Sequence, residues 1–118
     1  MGKNDLKELT LDFAVEICEL CDTIKNRPVY TKQIIRSSSS IGANVYEAKY
    51  AQSRADFINK MEISLKEAFE TEYWLRLLYK INAINEAKYN MLLDRCGTIR
   101  RILIASIETA KRNSKEKA

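Results

Sequence analysis

The chain contains no histidine, one proline and three glycines among 118 residues. Without histidine it loses the commonest general base, and with it His-dependent nucleophilic triads, HExxH zinc motifs and the Glu-x-x-His pairs of di-iron bundles. The glycines fall in no GxGxxG or other phosphate-cradling pattern. So little Pro and Gly also removes the punctuation that separates the short strands of a β protein. No apolar run approaches the length of a membrane span, and no secretory signal pattern is present. Cys18, Cys21 and Cys96 make an odd count, which argues against a disulfide framework and predicts a reducing, cytoplasmic setting with no membrane partner. Cys18 and Cys21 have the CxxC spacing of redox and zinc sites. Inside a helical pattern, with no second Cys pair, they read as small half-buried hydrophobes, and no metal or other cofactor is expected.

What is present is 46% hydrophobic and 31% charged residues, a balance that excludes disorder and suits one packed domain over 1–118. The apolar residues recur at three- and four-residue steps. Leu6, Leu9, Phe13, Ile17, Leu20 and Ile24 form one stripe, with Glu8, Asp12 and Glu19 opposite. Asn26-Arg27-Pro28 ends that helix and starts the next, since proline suits a first helical turn. Ile34, Ser38, Ile41, Val45 and Ala48 continue the period through four consecutive serines and Gly42. That run therefore reads as a helix with small side chains for close packing, its hydroxyls bonding back one turn, in preference to a Ser-rich linker. Ser53 to Asp56 has the form of a capping box. A third helix follows with Phe57, Met61, Ala68, Leu75 and Tyr79 toward the core and a second apolar line at Ile63, Trp74 and Ile81. After a short turn with Asn85 as N-cap, a fourth helix uses Leu92, Cys96, Ile99, Leu103, Ser106 and Ala110, while Leu93 and Ile104 point elsewhere.

These patterns predict an all-α, antiparallel up-down four-helix bundle with helices at about 5–25, 28–50, 54–81 and 86–112, followed by a frayed tail. The second apolar line, Ile63, Trp74, Ile81, Leu93 and Ile104, is the candidate oligomer interface of a homo-oligomer, because one face cannot bury both lines.

The polar residues read mainly as structure. Glu62, Glu67, Glu70 and Glu72 fan around several helix faces among Lys60, Lys66 and Arg76, as solvated ion pairs do. Glu72 alone falls beside the core stripe and needs a partner from another helix. Arg36, Asn44 and Glu47 share a face and, with Glu72, are expected to form a structural polar network, the competing reading being a ligand site. Charge is unevenly spread. Residues 1–27 carry four basic and six acidic side chains, whereas 85–118 carry eight and four. Arg100, Arg101, Lys111 and Arg112, with Lys115 and Lys117, are the candidate nucleic-acid-binding set. On one subunit they are a solvated face; repeated by symmetry they would form a continuous positive surface. Tyr46, Tyr50 and Tyr89 are candidates for base stacking or for closing the core.

Four stretches, Ser37 to Ala48, Arg54 to Ala68, Glu72 to Leu78 and Ile102 to Asn113, resemble the bacterial four-helix-bundle family named for proteins encoded in 23S ribosomal RNA intervening sequences. The resemblance spans nearly the whole chain. It implies a small bundle that assembles into a ring, commonly a homopentamer, with no enzymatic activity. A related branch, the accessory variability proteins of diversity-generating retroelements, resembles basic barrels that bind a reverse transcriptase and nucleic acid. The resulting expectation is a non-enzymatic, ring-forming accessory protein that binds RNA or DNA through a basic surface. The alternative is a structural or protein-interaction module that binds no nucleic acid.

Overall fold

Each helix begins where a side chain or a proline deals with the orphan N–H groups of its first turn. In the computed structural model, which describes residues 5–117 and the side chains as far as Asn113, α1 covers Leu6–Asp22, α2 Pro28–Lys49, α3 Arg54–Lys80 and α4 Glu86–Lys117. Asp5 caps α1, its carboxylate accepting the Lys7 N–H at 3.0 Å. Arg27 offers α2 no side-chain cap, and Pro28 at the first position has no N–H to satisfy. The Ser53 hydroxyl accepts the Asp56 N–H at 3.0 Å. The Asp56 carboxylate reaches back one residue beyond the expected position, to the Gln52 N–H at 3.3 Å. Asn85 caps α4 by accepting the Lys88 N–H at 2.8 Å.

The ends are as specific as the starts. Asn82 has φ of 62°, and around it the Ala83 N–H bonds Leu78 O at 2.8 Å while the Asn82 N–H bonds Tyr79 O at 3.0 Å. That is a complete Schellman motif with asparagine in the left-handed position usually taken by glycine. Asn26, three residues past the Thr23 cap of α1, is also left-handed, with φ of 64°. Two bounds differ from expectation. α1 stops at Asp22, where the Thr23 hydroxyl donates to Leu20 O at 2.6 Å. α4 continues to Lys117 in place of a tail from 113.

Sequential helices are antiparallel neighbours, α1 also packs on α4, and among the described residues the diagonal pairs make no close backbone approach. The bundle measures 52 × 23 × 23 Å, its long axis matching an α4 length of about 48 Å at 1.5 Å per residue. Phe13, Ile17, Ile34, Ile41, Ala68, Leu75, Cys96, Ile99 and Leu103 are all buried in the core. Leu6, Leu9 and Ile24, at the ends of the first stripe, are only partly covered, and Thr10 and Cys21 are buried in addition.

The serine run is an interface for close approach. Ser37, Ser38, Ser64 and Thr71 are fully buried, and the Ser64 hydroxyl crosses from α3 to donate to Ile41 O at 2.8 Å. The Ser37 and Thr71 hydroxyls share a hydrogen bond at 2.8 Å, each also facing a carbonyl of its own helix, Ile34 O at 3.4 Å and Glu67 O at 2.9 Å. On the other side of α2, a Cβ at Gly42 would lie 3.2 Å from Thr10 Oγ1. At Gly42 α1 packs close enough that a side chain would crowd Thr10, which explains a helix-weakening residue in mid-helix.

Candidate nucleic-acid interface

The α4 face is built on the core stripe behind it: Leu92, Ile99 and Leu103 are buried, which turns Arg101 and Arg112 outward to solvent. The two lie about 16 Å apart along the axis, eleven residues on. Arg101 is steadied by donating to its own helix, Nη2 to Thr98 Oγ1 at 3.2 Å. Among the described residues no carboxylate pairs with Arg101 or Arg112.

Arg100 and Lys111 are placed differently. Arg100 Nε donates to Glu72 Oε2 at 2.9 Å, and its guanidinium carbon sits 5.4 Å from the centroid of the Phe69 ring. This is the partner that Glu72 required, and it makes Arg100 a strut between α3 and α4. Lys111 pairs with Glu62 at 2.8 Å; both are largely exposed, so the pair is open to competition by phosphate. The side chains of Lys115 and Lys117 lie outside the described residues.

Arg76, in sequence only a counter-charge to the α3 carboxylates, joins this surface. It lines a groove of about 560 Å³ between α3 and α4 together with Tyr89, Gly97, Arg100 and Arg101. Gly97 carries no side chain under the two α4 guanidiniums, whose nearest nitrogens would be 3.4 and 3.6 Å from a Cβ placed there. The signal that periodicity lacks is positional: Arg76 and Arg101 are on different helices, and only the α3–α4 packing brings them to one groove. Tyr89 stacks face to face on Tyr79, with ring centroids 4.3 Å apart. Tyr46 on α2 and Tyr50 just past its end are exposed, away from the α3–α4 groove.

The expected polar network divides into separate pairs. Arg36 and Glu47 share a helix face, but about 16 Å of axial rise separates them, beyond the reach of a direct bond. Arg36 crosses instead to α3, bonding Glu70 and, at 3.3 Å, Glu67. Glu47 pairs with Lys60 at 2.9 Å, and Asn44 bonds back to Ser40 O at 2.9 Å. Glu70 also accepts the Trp74 indole N–H at 3.0 Å; that bond first, and Arg36 second, hold its carboxyl below the usual range. Trp74 is thereby turned against Tyr30 and Tyr73 of its own subunit.

Ile63, Trp74, Ile81, Leu93 and Ile104 are all half-buried. The most exposed large apolar side chains are elsewhere, among them Leu11 and Val15 on α1 and Phe69 and Tyr73 on α3. Of the cysteines, Cys18 is exposed while Cys21 and Cys96 are buried. Burial, aided by neighbouring Cys18 and Asp22, pushes the Cys21 thiol to about 11. Burial likewise pushes Cys96 to about 12. Such thiols are poor nucleophiles. Among the described residues no three His, Cys, Asp or Glu side chains converge as a metal site, and no helix is long and apolar enough to cross a membrane.

Fold and surface together define a class: a four-helix bundle with a net acidic first helix and an exposed basic edge on its last helix. The chain belongs to the 23S rRNA-intervening sequence protein family, whose model matches residues 3–105. It is also similar to the crystal structure of a protein with unknown function from the S23 ribosomal protein family of Bacteroides thetaiotaomicron. The two share 47% identity over 92% of this chain and 99% of that one, with a TM-score of 0.85. A comparison with curated proteins finds no match.

Proposed function

We propose that this protein is a non-enzymatic, cytoplasmic accessory protein that assembles into a homopentameric ring and binds RNA or DNA through the basic edge of α4. The observation that carries the reading is the pair Arg101 and Arg112, outward and without carboxylate partners among the described residues, on one continuous rigid helix. One subunit has a net charge of only +4, too little for tight binding to a polyanion. A ring repeats the edge and lets several subunits release counterions from one strand. The family resemblance supports the ring and the absence of catalysis.

Filter binding across a salt series tests this. Affinity for a structured RNA or a DNA duplex should fall steeply with salt, with a log–log slope of about 0.7–0.9 per phosphate neutralised. Binding that is absent at low salt, or indifferent to salt, would overturn the reading. A second reading, a protein-interaction module, is favoured by the exposed Leu11 and Phe69. It predicts that a pull-down retains one protein partner after nuclease treatment, a reverse transcriptase being the candidate from the related branch.

A further inference from the structure

Two apolar strips lie on opposite sides of the bundle. On α1, Leu11 and Val15 are each two residues from buried Phe13, which at about 100° per residue places both on the outer face. On α3, Phe69 and Tyr73 stand in the same relation to buried Thr71. All four are about half exposed or more. Because α1 and α3 are diagonal in the bundle, with no close backbone approach between them, the two strips face in opposing directions.

Their rims carry opposite charge. Glu8, Asp12 and Glu19 flank the α1 strip, and Lys66, Arg76 and Lys80 flank the α3 strip; all six are exposed. Most contrary charges nearby are paired within the subunit, Glu62 with Lys111, Glu72 with Arg100, and Arg95 with Glu16; Lys7, one turn before Leu11, lies over the Tyr46 ring, 5.7 Å from its centroid. The α3 strip is also concave, a groove of about 500 Å³ formed by Phe69, Tyr73, Arg76, Leu77, Lys80 and Glu72.

We propose that the α1 strip of one copy docks into the α3 groove of the next, Leu11 and Val15 packing on Phe69 and Tyr73 while the acidic rim meets the basic one. A second copy is the fitting occupant because this chain itself supplies the complementary surface. Like faces would set carboxylate against carboxylate or cation against cation, which disfavours a two-fold joint. A head-to-tail joint leaves one donor strip and one acceptor groove free on every open chain, so it closes as a ring or grows as a filament. The proposal rests on the oligomeric part of the function proposed above and names its joint; it makes no use of nucleic-acid binding.

Mixing two crippled variants tests it by sedimentation. Leu11→Arg with Val15→Arg removes the donor strip, and Phe69→Glu with Tyr73→Glu removes the acceptor groove. The unsubstituted chain should run as a multi-subunit particle and each double variant alone at 13.6 kDa. An equimolar mixture should give a particle of two subunits and nothing larger, since only one intact joint can form. Circular dichroism checks that each variant remains helical. Charge exchange alone, Glu8→Lys with Glu19→Lys against Arg76→Glu with Lys80→Glu, should leave each variant at one subunit, while their mixture grows beyond two subunits because both rim pairings are then opposite in charge. If the unsubstituted chain is an oligomer but either apolar variant keeps its mass, or the mixture stays at one subunit, this joint is wrong and the ring survives. A monomeric unsubstituted chain would overturn both, while salt-dependent filter binding could still stand.

Discussion

Glu70 accepts hydrogen bonds from an indole of its own helix and a guanidinium of α2, so its charged form is stabilised by folding. Its folded pKa is depressed from the ordinary 4.5. The stabilisation is therefore complete above pH 4.5 and is lost as pH falls through the lower, folded value. Urea unfolding followed by Trp74 fluorescence should show Glu70→Gln with a flatter stability profile than wild type in that acid window. Ser64 makes a different kind of contribution. Its buried hydroxyl ties α3 to Ile41 O, and Ser64→Ala should cost about 1 kcal/mol by denaturant unfolding. Ser64→Leu should cost about 1–3 kcal/mol or more, since there is no room for a larger side chain between these helices. Thiol reagents should label native Cys18 quickly and reach Cys21 and Cys96 only on unfolding, read by intact mass over time. Burial of Cys96 was legible from the apolar period, which left Cys18 and Cys21 alike as half-buried. That Cys18 would be the exposed member of the CxxC was not, because it depends on which faces of α1 its neighbours cover.

At the scale of the helix, starts were easier to read than ends. Proline at 28, Ser53 and Asn85 act through one turn of local backbone, and each lies where the pattern placed it. Ser53→Ala should destabilise the protein by about 1 kcal/mol in thermal or urea unfolding, because the Asp56 N–H would have no hydroxyl to donate to. The end of α1 goes with a weaker influence, the Thr23 back-bond to Leu20 O, which periodicity does not display. The pairing of Arg36 illustrates the same limit. A helical wheel shows which residues share a face and discards their separation along the axis, so Glu47 looked closer than it is. The partners Glu67 and Glu70 belong to α3 and depend on how far α2 slides along it.

For the whole molecule, the decisive property is how charge adds when copies assemble. Arg101→Glu with Arg112→Glu should leave helicity intact, weaken RNA or DNA binding and reduce the salt slope by about 0.7–0.9 for each phosphate no longer neutralised. Filter binding at several salt concentrations checks both. Uniform weakening across sequences would mark backbone contact, and Arg100 should matter less because Glu72 and Phe69 already hold it.

The sequence by itself determined the class of fold. Apolar residues at three- and four-residue steps, local caps, few glycines and a serine run kept in period leave a bundle of four helices as the way to bury those stripes. It also disclosed the basic final helix. Tertiary structure alone decided which polar groups meet, why Gly42 and the serines are small, and which apolar residues remain outside. Periodicity reports direction around one helix axis, whereas contact and exposure depend on what the neighbouring helices cover and how far they are offset along it.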